Sequence, residues 1–138
     1  MFTRIMTPVD LAHRDQLERA LQCSADLASH YDVPVVYVGV TTEQPSPVAH
    51  TPKEYAAKLD KFVAEQTEKH GIKGEAHAMA AHDPTTDLDD ALLKAVDEVG
   101  ADLVVMASHI PNVFDYIWPS NGGKIAEHAK ASVFVVRG

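Results

Sequence analysis

The run VPVVYVGV at residues 33–40 is nearly continuous in apolar and β-branched side chains, and it narrows the choice of fold. A strand with one solvent-exposed face alternates apolar and polar residues, whereas a strand covered on both faces does not. The run therefore predicts a buried strand of a parallel sheet with helices packed on both sides.

The rest of the chain alternates between apolar runs and segments with helical spacing. Pro52 stands at the first position of a helix capped by Thr51, and Gly71 ends that helix. Repeated strand–helix units without an internal boundary predict one α/β domain over residues 1–138, joined by right-handed crossovers. Further strands are predicted at residues 2–9, 75–81, 103–107 and 133–136, and helices at residues 14–30, 51–71, 83–100 and shortly before the last strand.

Composition and charge exclude several classes of partner. The formal net charge of −8 argues against a nucleic-acid surface, because binding phosphates requires clustered Lys and Arg. No segment approaches the roughly 20 apolar residues of a membrane span, and the N-terminal residues do not resemble a signal peptide. We therefore expect a cytoplasmic protein with neither a nucleic-acid nor a membrane partner.

The cysteine and the histidines do not form a metal-binding pattern. Cys23 is the only cysteine, so it cannot form an intrachain disulfide, and its apolar helical neighbours place it in the core. His77 lies in the weakest predicted strand, where the polar face of an edge strand explains it. His82 and Asp83 beyond that strand do not supply the three or four converging ligands of a zinc site.

The sequence also lacks the signatures of common catalytic sites. Ser108 and His109 are adjacent but stand outside any Gly-x-Ser-x-Gly elbow. The triplet Gly122-Gly123-Lys124 lacks the upstream glycine and the following Ser or Thr of a phosphate-binding P-loop. We therefore expect a non-enzymatic protein, with slow ATP hydrolysis the one reaction left open.

Two features point to the carboxyl edge of the sheet, where ligands of such folds bind. Asp10 directly follows the first strand, where a carboxylate can accept hydrogen bonds from a ribose or base, bind a metal, or cap a helix. A helix beginning at Ser120 or Asn121 would direct free N–H groups to the same edge, and Gly122 would let an anion approach the backbone. Simple helix capping by Ser120 or Asn121 is the alternative.

Four stretches together resemble the universal stress protein family: residues 8–10 (PVD), 82–84 (HDP), 100–109 (GADLVVMASH) and 128–137 (HAKASVFVVR). The resemblance covers the full chain in one order. It implies a five-stranded parallel sheet of order 3-2-1-4-5 with helices on both faces, Rossmann-like and similar to the adenine nucleotide alpha hydrolase fold. It also implies a homodimer joined through the fifth strand, at Val133, Phe134, Val135 and Val136.

The resemblance further implies a site for ATP or AMP, with Mg²⁺ accompanying ATP. Adenosine would lie against Pro8, Val9, Asp10 and Val40. The phosphates would lie against a loop that in the family reads glycine, two residues, glycine, nine residues, glycine, then Ser or Thr. The positions of this chain that correspond to it are Ala107, Ser108, His109, Ile110, Pro119, Ser120, Asn121 and Gly122.

This loop departs from the family pattern, since Ala107, Ile110 and Pro119 replace its three glycines. It is more similar to a proteobacterial subgroup with a loop one residue shorter, which includes nucleotide-binding members, but Ile110 replaces an arginine of that subgroup. Losing one charge-assisted phosphate contact costs about 1.5–3 kcal/mol of binding free energy. Our hypothesis is that Lys124 and the glycines before it partly compensate for this loss.

The sequence is therefore consistent with two functions. The first is an adenine-nucleotide-binding regulatory homodimer with a degenerate phosphate loop. The second is a nucleotide-free universal stress protein that acts as a dimeric protein-interaction module with an unknown protein partner. Phe114, Tyr116 and Trp118 favour the second, because three aromatic residues in one loop suit a protein contact better than a phosphate. Packing of these three side chains onto their own domain is the alternative.

Overall fold

The computed structural model describes residues 1–42, 45, 48–81, 88–107, 125–126 and 129–137. Five strands form one sheet in the order β3-β2-β1-β4-β5, and every pairing is parallel. The predicted α/β fold with strand order 3-2-1-4-5 is thereby confirmed. The strands are β1 (Ile5–Val9), β2 (Val35–Thr41), β3 (Gly74–Ala80), β4 (Leu103–Ala107) and β5 (Ser132–Val136). The α-helices are α1 (Glu18–Tyr31), α2 (Pro52–His70) and α3 (Leu88–Val99), and the described residues 125–126 are also helical.

The first helix begins later than its apolar spacing predicts. Residues Leu11–Leu17 form a 3₁₀ segment, and α1 starts only at Glu18. The cause lies at the end of β1, where the Asp10 side chain accepts a hydrogen bond from the N–H of Ala12 and His13 leaves helical geometry at φ −132° and ψ 39°. The predicted start of a regular helix at residue 14 was therefore wrong.

The predicted helix boundaries elsewhere are confirmed by local hydrogen bonding. The Thr51 hydroxyl accepts a hydrogen bond from the N–H of Glu54 at 3.1 Å, which caps α2 at its N-terminus. Gly71 ends α2 at φ 64°, and Gly100 follows α3 at φ 69°, both in the left-handed region that favours glycine. The predicted start of the third helix at Asp83 and Pro84 lies outside the described residues.

The core lies on both sides of the three central strands. Every residue of β1 and β4 is buried, as is nearly all of β2, which the continuous apolar run at residues 33–40 predicts. Right-handed crossovers place α1 and α2 on one face and α3 on the other, because the chain moves along the sheet in opposite directions. On the α2 side the rings of Tyr37 and Phe62 meet edge to face at 5.8 Å.

Candidate functional site

The carboxyl ends of β1 and β2 bring the four predicted adenosine residues to one edge of the sheet. The last residue pair between these strands is Val9 opposite Gly39, with Pro8 opposite Val38 one step before. Asp10 is the first residue beyond β1, and Val40 is the first residue of β2 beyond that pairing. Pro8 and Val9 are buried, whereas Asp10 and Val40 are half-buried at the rim of the sheet.

The backbone of Val40 faces the end of β1. In an extended strand the N–H and C=O of one residue point to the same side, and successive residues alternate. The Thr41 carbonyl accepts from Ala81 on the β3 side at 2.7 Å, and the Pro34 carbonyl accepts from Ile5 on the β1 side. Val40 therefore directs its carbonyl toward β1, beyond Val9, where no residue of that strand stands opposite.

Asp10 holds the first turn after β1. One carboxylate oxygen, Oδ1, accepts from the N–H of Ala12 at 3.0 Å, and Oδ2 lies 3.1 Å from Nδ1 of His13. The helix-cap alternative for Asp10 is thus realised in the structure. Each carboxylate oxygen can accept more than one hydrogen bond, so the cap leaves capacity for a ribose hydroxyl at a side chain that is 14% exposed.

Tyr55 is a site residue that the sequence did not reveal beyond its inward-facing position on α2. Its ring is buried and lies directly over Gly39 of β2. Burial raises the pKa of Tyr55, and the nearby negative charge of Asp10 raises it further, so the phenol stays protonated beside the carboxylate. The sequence signal for this contact was Gly39, because a glycine inside a β-branched strand indicates that another group packs closely against the backbone.

Ala107 ends β4, which pairs with the other flank of β1. It is buried and stands opposite Val136 of β5. The structure therefore places the start of the predicted phosphate loop at the same edge as Asp10, on the far side of β1. The remaining loop predictions lie outside the described residues: Ser108, His109, Ile110, Pro119, Ser120, Asn121 and Gly122.

Other candidate ligand residues have structural partners. Nε2 of His77 lies 2.9 Å from a carboxylate oxygen of Glu98, so this histidine joins the edge strand β3 to α3. This agrees with the prediction that His77 is a structural residue on an edge strand. Cys23 packs against the core as predicted, and burial raises the pKa of its thiol. No group of three potential metal ligands occurs among the described residues. Within that same part of the chain, none of the helices has the length and apolar character to cross a membrane.

Several known proteins are similar to this chain over its whole length. Universal stress protein G of Shigella flexneri is 24% identical over 148 residues, which cover 99% of this chain and 100% of the relative. A solved universal stress protein from Archaeoglobus fulgidus superposes with a TM-score of 0.71 at 23% identity, covering 98% of both chains. A universal stress protein from that organism solved in complex with dAMP has a TM-score of 0.67 at 24% identity, covering 96% of both chains.

The chain also matches a sequence model that represents a whole protein family. The sequence model described as the Universal stress protein family matches residues 1–137 of this chain. The curated relative is named as a stress protein rather than as an enzyme, in line with the non-enzymatic character expected from the sequence. The strand order, the match along nearly the whole chain and the similar solved structures agree: the chain belongs to the universal stress protein family.

Proposed function

We propose that the protein is a cytoplasmic regulatory homodimer that binds an adenine nucleotide, AMP or ATP, through a site with a weakened phosphate loop. The observation that carries this proposal is the strand register, which brings Asp10 and the Val40 carbonyl to the same carboxyl edge of β1 and β2. We propose Mg²⁺ only as a cation bound together with ATP.

The donors and acceptors at this edge match adenosine. The exocyclic amino group of adenine donates hydrogen bonds, and the outward carbonyl of Val40 is an acceptor at the rim. The ribose hydroxyls also donate, and the Asp10 carboxylate accepts only. Adenosine itself is uncharged, so the Asp10 carboxylate meets no like charge at this end of the nucleotide.

The dAMP complex of the Archaeoglobus fulgidus relative supports an adenine nucleotide as the ligand class. The phosphate end of the proposed site depends on residues 108–122, where Ile110 and Pro119 depart from the family pattern. A nucleotide held mainly by its adenosine end would bind AMP and ATP with similar affinity. A large preference for ATP would indicate that the loop contributes strongly.

The test is calorimetric titration of the purified protein with AMP and with ATP. Asp10→Asn keeps an amide oxygen to cap Ala12 but removes the charge, and we expect it to weaken AMP binding about tenfold. Asp102→Asn is the matched control: it makes the same chemical change at the opposite edge of the sheet, where Asp102 accepts from Thr3 and Arg4. This control should bind AMP like the wild type.

Two results would contradict the proposal. One is the absence of heat with either nucleotide at millimolar concentration, and the other is an equal loss of affinity in the two variants. The compensating role of Lys124 has its own test, because Lys124→Ala should weaken ATP binding more than AMP binding. Unchanged ATP affinity in that variant would remove Lys124 from the site.

The nucleotide-free interaction module remains the second candidate function. Its support is the exposure of Phe134 and Val135, at 47% and 42%, on the edge strand β5. The aromatic residues Phe114, Tyr116 and Trp118, which favour this function in the sequence, lie outside the described residues. The same titration separates the candidates, since a dimer without measurable nucleotide binding supports the second.

A further inference from the structure

A cavity of about 490 Å³ lies between the 3₁₀ segment and α2, and none of its lining residues belongs to the predicted nucleotide site. A cavity of this size falls within the range that binds small molecules. Its cationic rim contains Arg14, Lys58 and Lys61, and Leu11 and Val48 contribute apolar surface. No part of the proposed nucleotide function explains this arrangement.

The charge of the lining is opposite to that of the protein. Three cations face a single carboxylate, Glu65, in a chain whose formal net charge is −8. Arg14 pairs with Glu65 at 2.6 Å, and this hydrogen bond lowers the pKa of the Glu65 carboxyl. Because Arg14 neutralises Glu65, the positive charge that remains is that of the two lysines.

Lys58 and Lys61 differ in their contacts with neighbouring polar and charged groups. Lys58 donates to the carbonyl of Val48 and lies 3.5 Å from a carboxylate oxygen of Glu54. Lys61 forms no ion pair within the part of the chain that the structure describes. The charge of Lys61 does lower the pKa of the Glu65 carboxyl, but Arg14 is the direct partner of that carboxylate. An anion entering the cavity would therefore meet one ammonium group without a direct ion-pair partner and one that is already partly engaged.

The remaining wall is held in place by aromatic contacts. The guanidinium of Arg14 lies 5.0 Å from the ring centroid of Phe62, a cation–π distance, while it also pairs with Glu65. Phe62 is itself fixed by its edge-to-face contact with the buried ring of Tyr37. A wall that is already ordered reduces the entropy lost when a ligand binds.

We propose that this cavity binds a small organic anion, with a phosphate or carboxylate group at Lys61 and Lys58 and an apolar portion against Leu11 and Val48. The site is separate from the nucleotide site and does not depend on it. Two ammonium groups can bind either a phosphate or a carboxylate group. Titration with phenyl phosphate and with benzoate distinguishes the two.

The test is NMR titration of the ¹⁵N-labelled protein with phenyl phosphate and, separately, with benzoate. We expect saturable shifts of the amide signals of Leu11, Lys61 and Phe62 with at least one of the two probes. Inorganic phosphate and benzyl alcohol carry the charge and the apolar part alone, and each should bind at least about fivefold more weakly, since the two parts contact different walls. Equal binding of benzyl alcohol would overturn the anionic assignment.

Two variants test the residues. Lys61→Glu reverses the charge of the lysine that has no direct ion-pair partner and should weaken binding of the better probe at least about tenfold. Lys94→Glu is the matched control, an exposed helical lysine on the opposite face of the sheet, and should change affinity less than about twofold. Because both lysines are exposed, both variants should retain the fold, and Lys61→Gln provides a milder second variant.

The proposal would also be overturned by the absence of a saturable shift with either anion, by equal losses of affinity in Lys61→Glu and Lys94→Glu, or by shifts confined to Val9 and Val40. The last would assign the probe to the nucleotide site instead. Adding AMP at saturation should leave probe binding unchanged, and competitive displacement of the probe would contradict a separate site. Failure of AMP to bind would refute the nucleotide function. The comparison of Lys61→Glu with Lys94→Glu would still test the anion site.

Discussion

The phenol of Tyr55 lies so close to Gly39 that a Cβ atom on residue 39 would stand 2.5 Å from the tyrosine oxygen. This contact joins α2 to the carboxyl end of β2, next to Asp10 and Val40. Tyr55 thereby occupies the space over β2 at residue 39. Glycine at position 39 is required by packing, since the ring occupies the volume that a side chain would need.

Gly39→Ala should destabilise the protein by about 1–3 kcal/mol, as expected for overpacking of a core. In a Tyr55→Phe background the same substitution should cost less, because the closest clashing atom is gone and the next, a ring carbon, lies 2.9 Å away. Urea denaturation of the two single variants and the double variant measures this coupling. An equal cost of Gly39→Ala in both backgrounds would show that the contact does not constrain residue 39.

Tyr37 should make the protein sensitive to alkaline pH. Burial raises the pKa of Tyr37 to about 12, and its hydroxyl has no hydrogen-bond partner among the described residues. The folded state therefore keeps the proton while the unfolded chain loses it above about pH 10. Stability is full below that pH and falls toward pH 12 by up to about 1.4 kcal/mol per pH unit.

The measurement is the free energy of unfolding of wild type and Tyr37→Phe as a function of pH. The variant should be at least as stable as the wild type at neutral pH, because it removes an unpaired buried hydroxyl. Above about pH 10 it should lose stability less steeply, while Tyr55 maintains part of the slope since its pKa is raised as well. Identical slopes for the two proteins would refute the assignment.

Asp102 should contribute stability that disappears in acid. Burial raises its pKa, but hydrogen bonds from the N–H groups of Arg4 and Thr3 and from the Thr3 hydroxyl outweigh this and hold the pKa below its usual value. A lowered folded-state pKa stabilises the protein above the unfolded pKa, and this stabilisation is lost as the pH falls through the folded value.

Asp102→Asn should therefore cost about 1 kcal/mol at neutral pH, since it weakens charge-assisted hydrogen bonds to the N-terminal segment. The difference from wild type should shrink as the pH falls below about 4. Urea midpoints across this pH range give the result. A difference that stays constant down to the lowest pH would mean that the charge of Asp102 contributes nothing.

Because the proposed homodimer is joined through β5, a charged side chain on this strand should prevent dimer formation. The edge strand exposes Phe134 and Val135, and an exposed apolar edge is a template for pairing with another chain. Val135→Lys should convert a wild-type dimer into a monomer in light scattering coupled to gel filtration. Ala78→Lys, an exposed position on the opposite edge strand β3, is the control and should remain dimeric. A monomeric wild type would contradict the proposal.

The sequence alone determined the elements and most of their ends. The apolar run at residues 33–40 implied a strand covered on both faces, and Thr51, Gly71 and Gly100 marked helix boundaries that the structure reproduces. These signals can be read because each is local: a cap or a left-handed glycine is satisfied by hydrogen bonds to residues within four positions along the chain. The strand order came from the resemblance of four motifs to a family.

The construction of the site depends on contacts between residues that are distant in sequence. Asp10 could cap a turn or meet a ligand, and it does cap one, because His13 and Ala12 fold back onto it. Tyr55 was predicted to face inward, but its contact with Gly39 depends on how α2 docks across β2. The cationic cavity likewise requires Arg14 and Glu65, which are distant in sequence, to meet across two elements. Such contacts depend on the packing of whole elements, and no local pattern of residues specifies that packing.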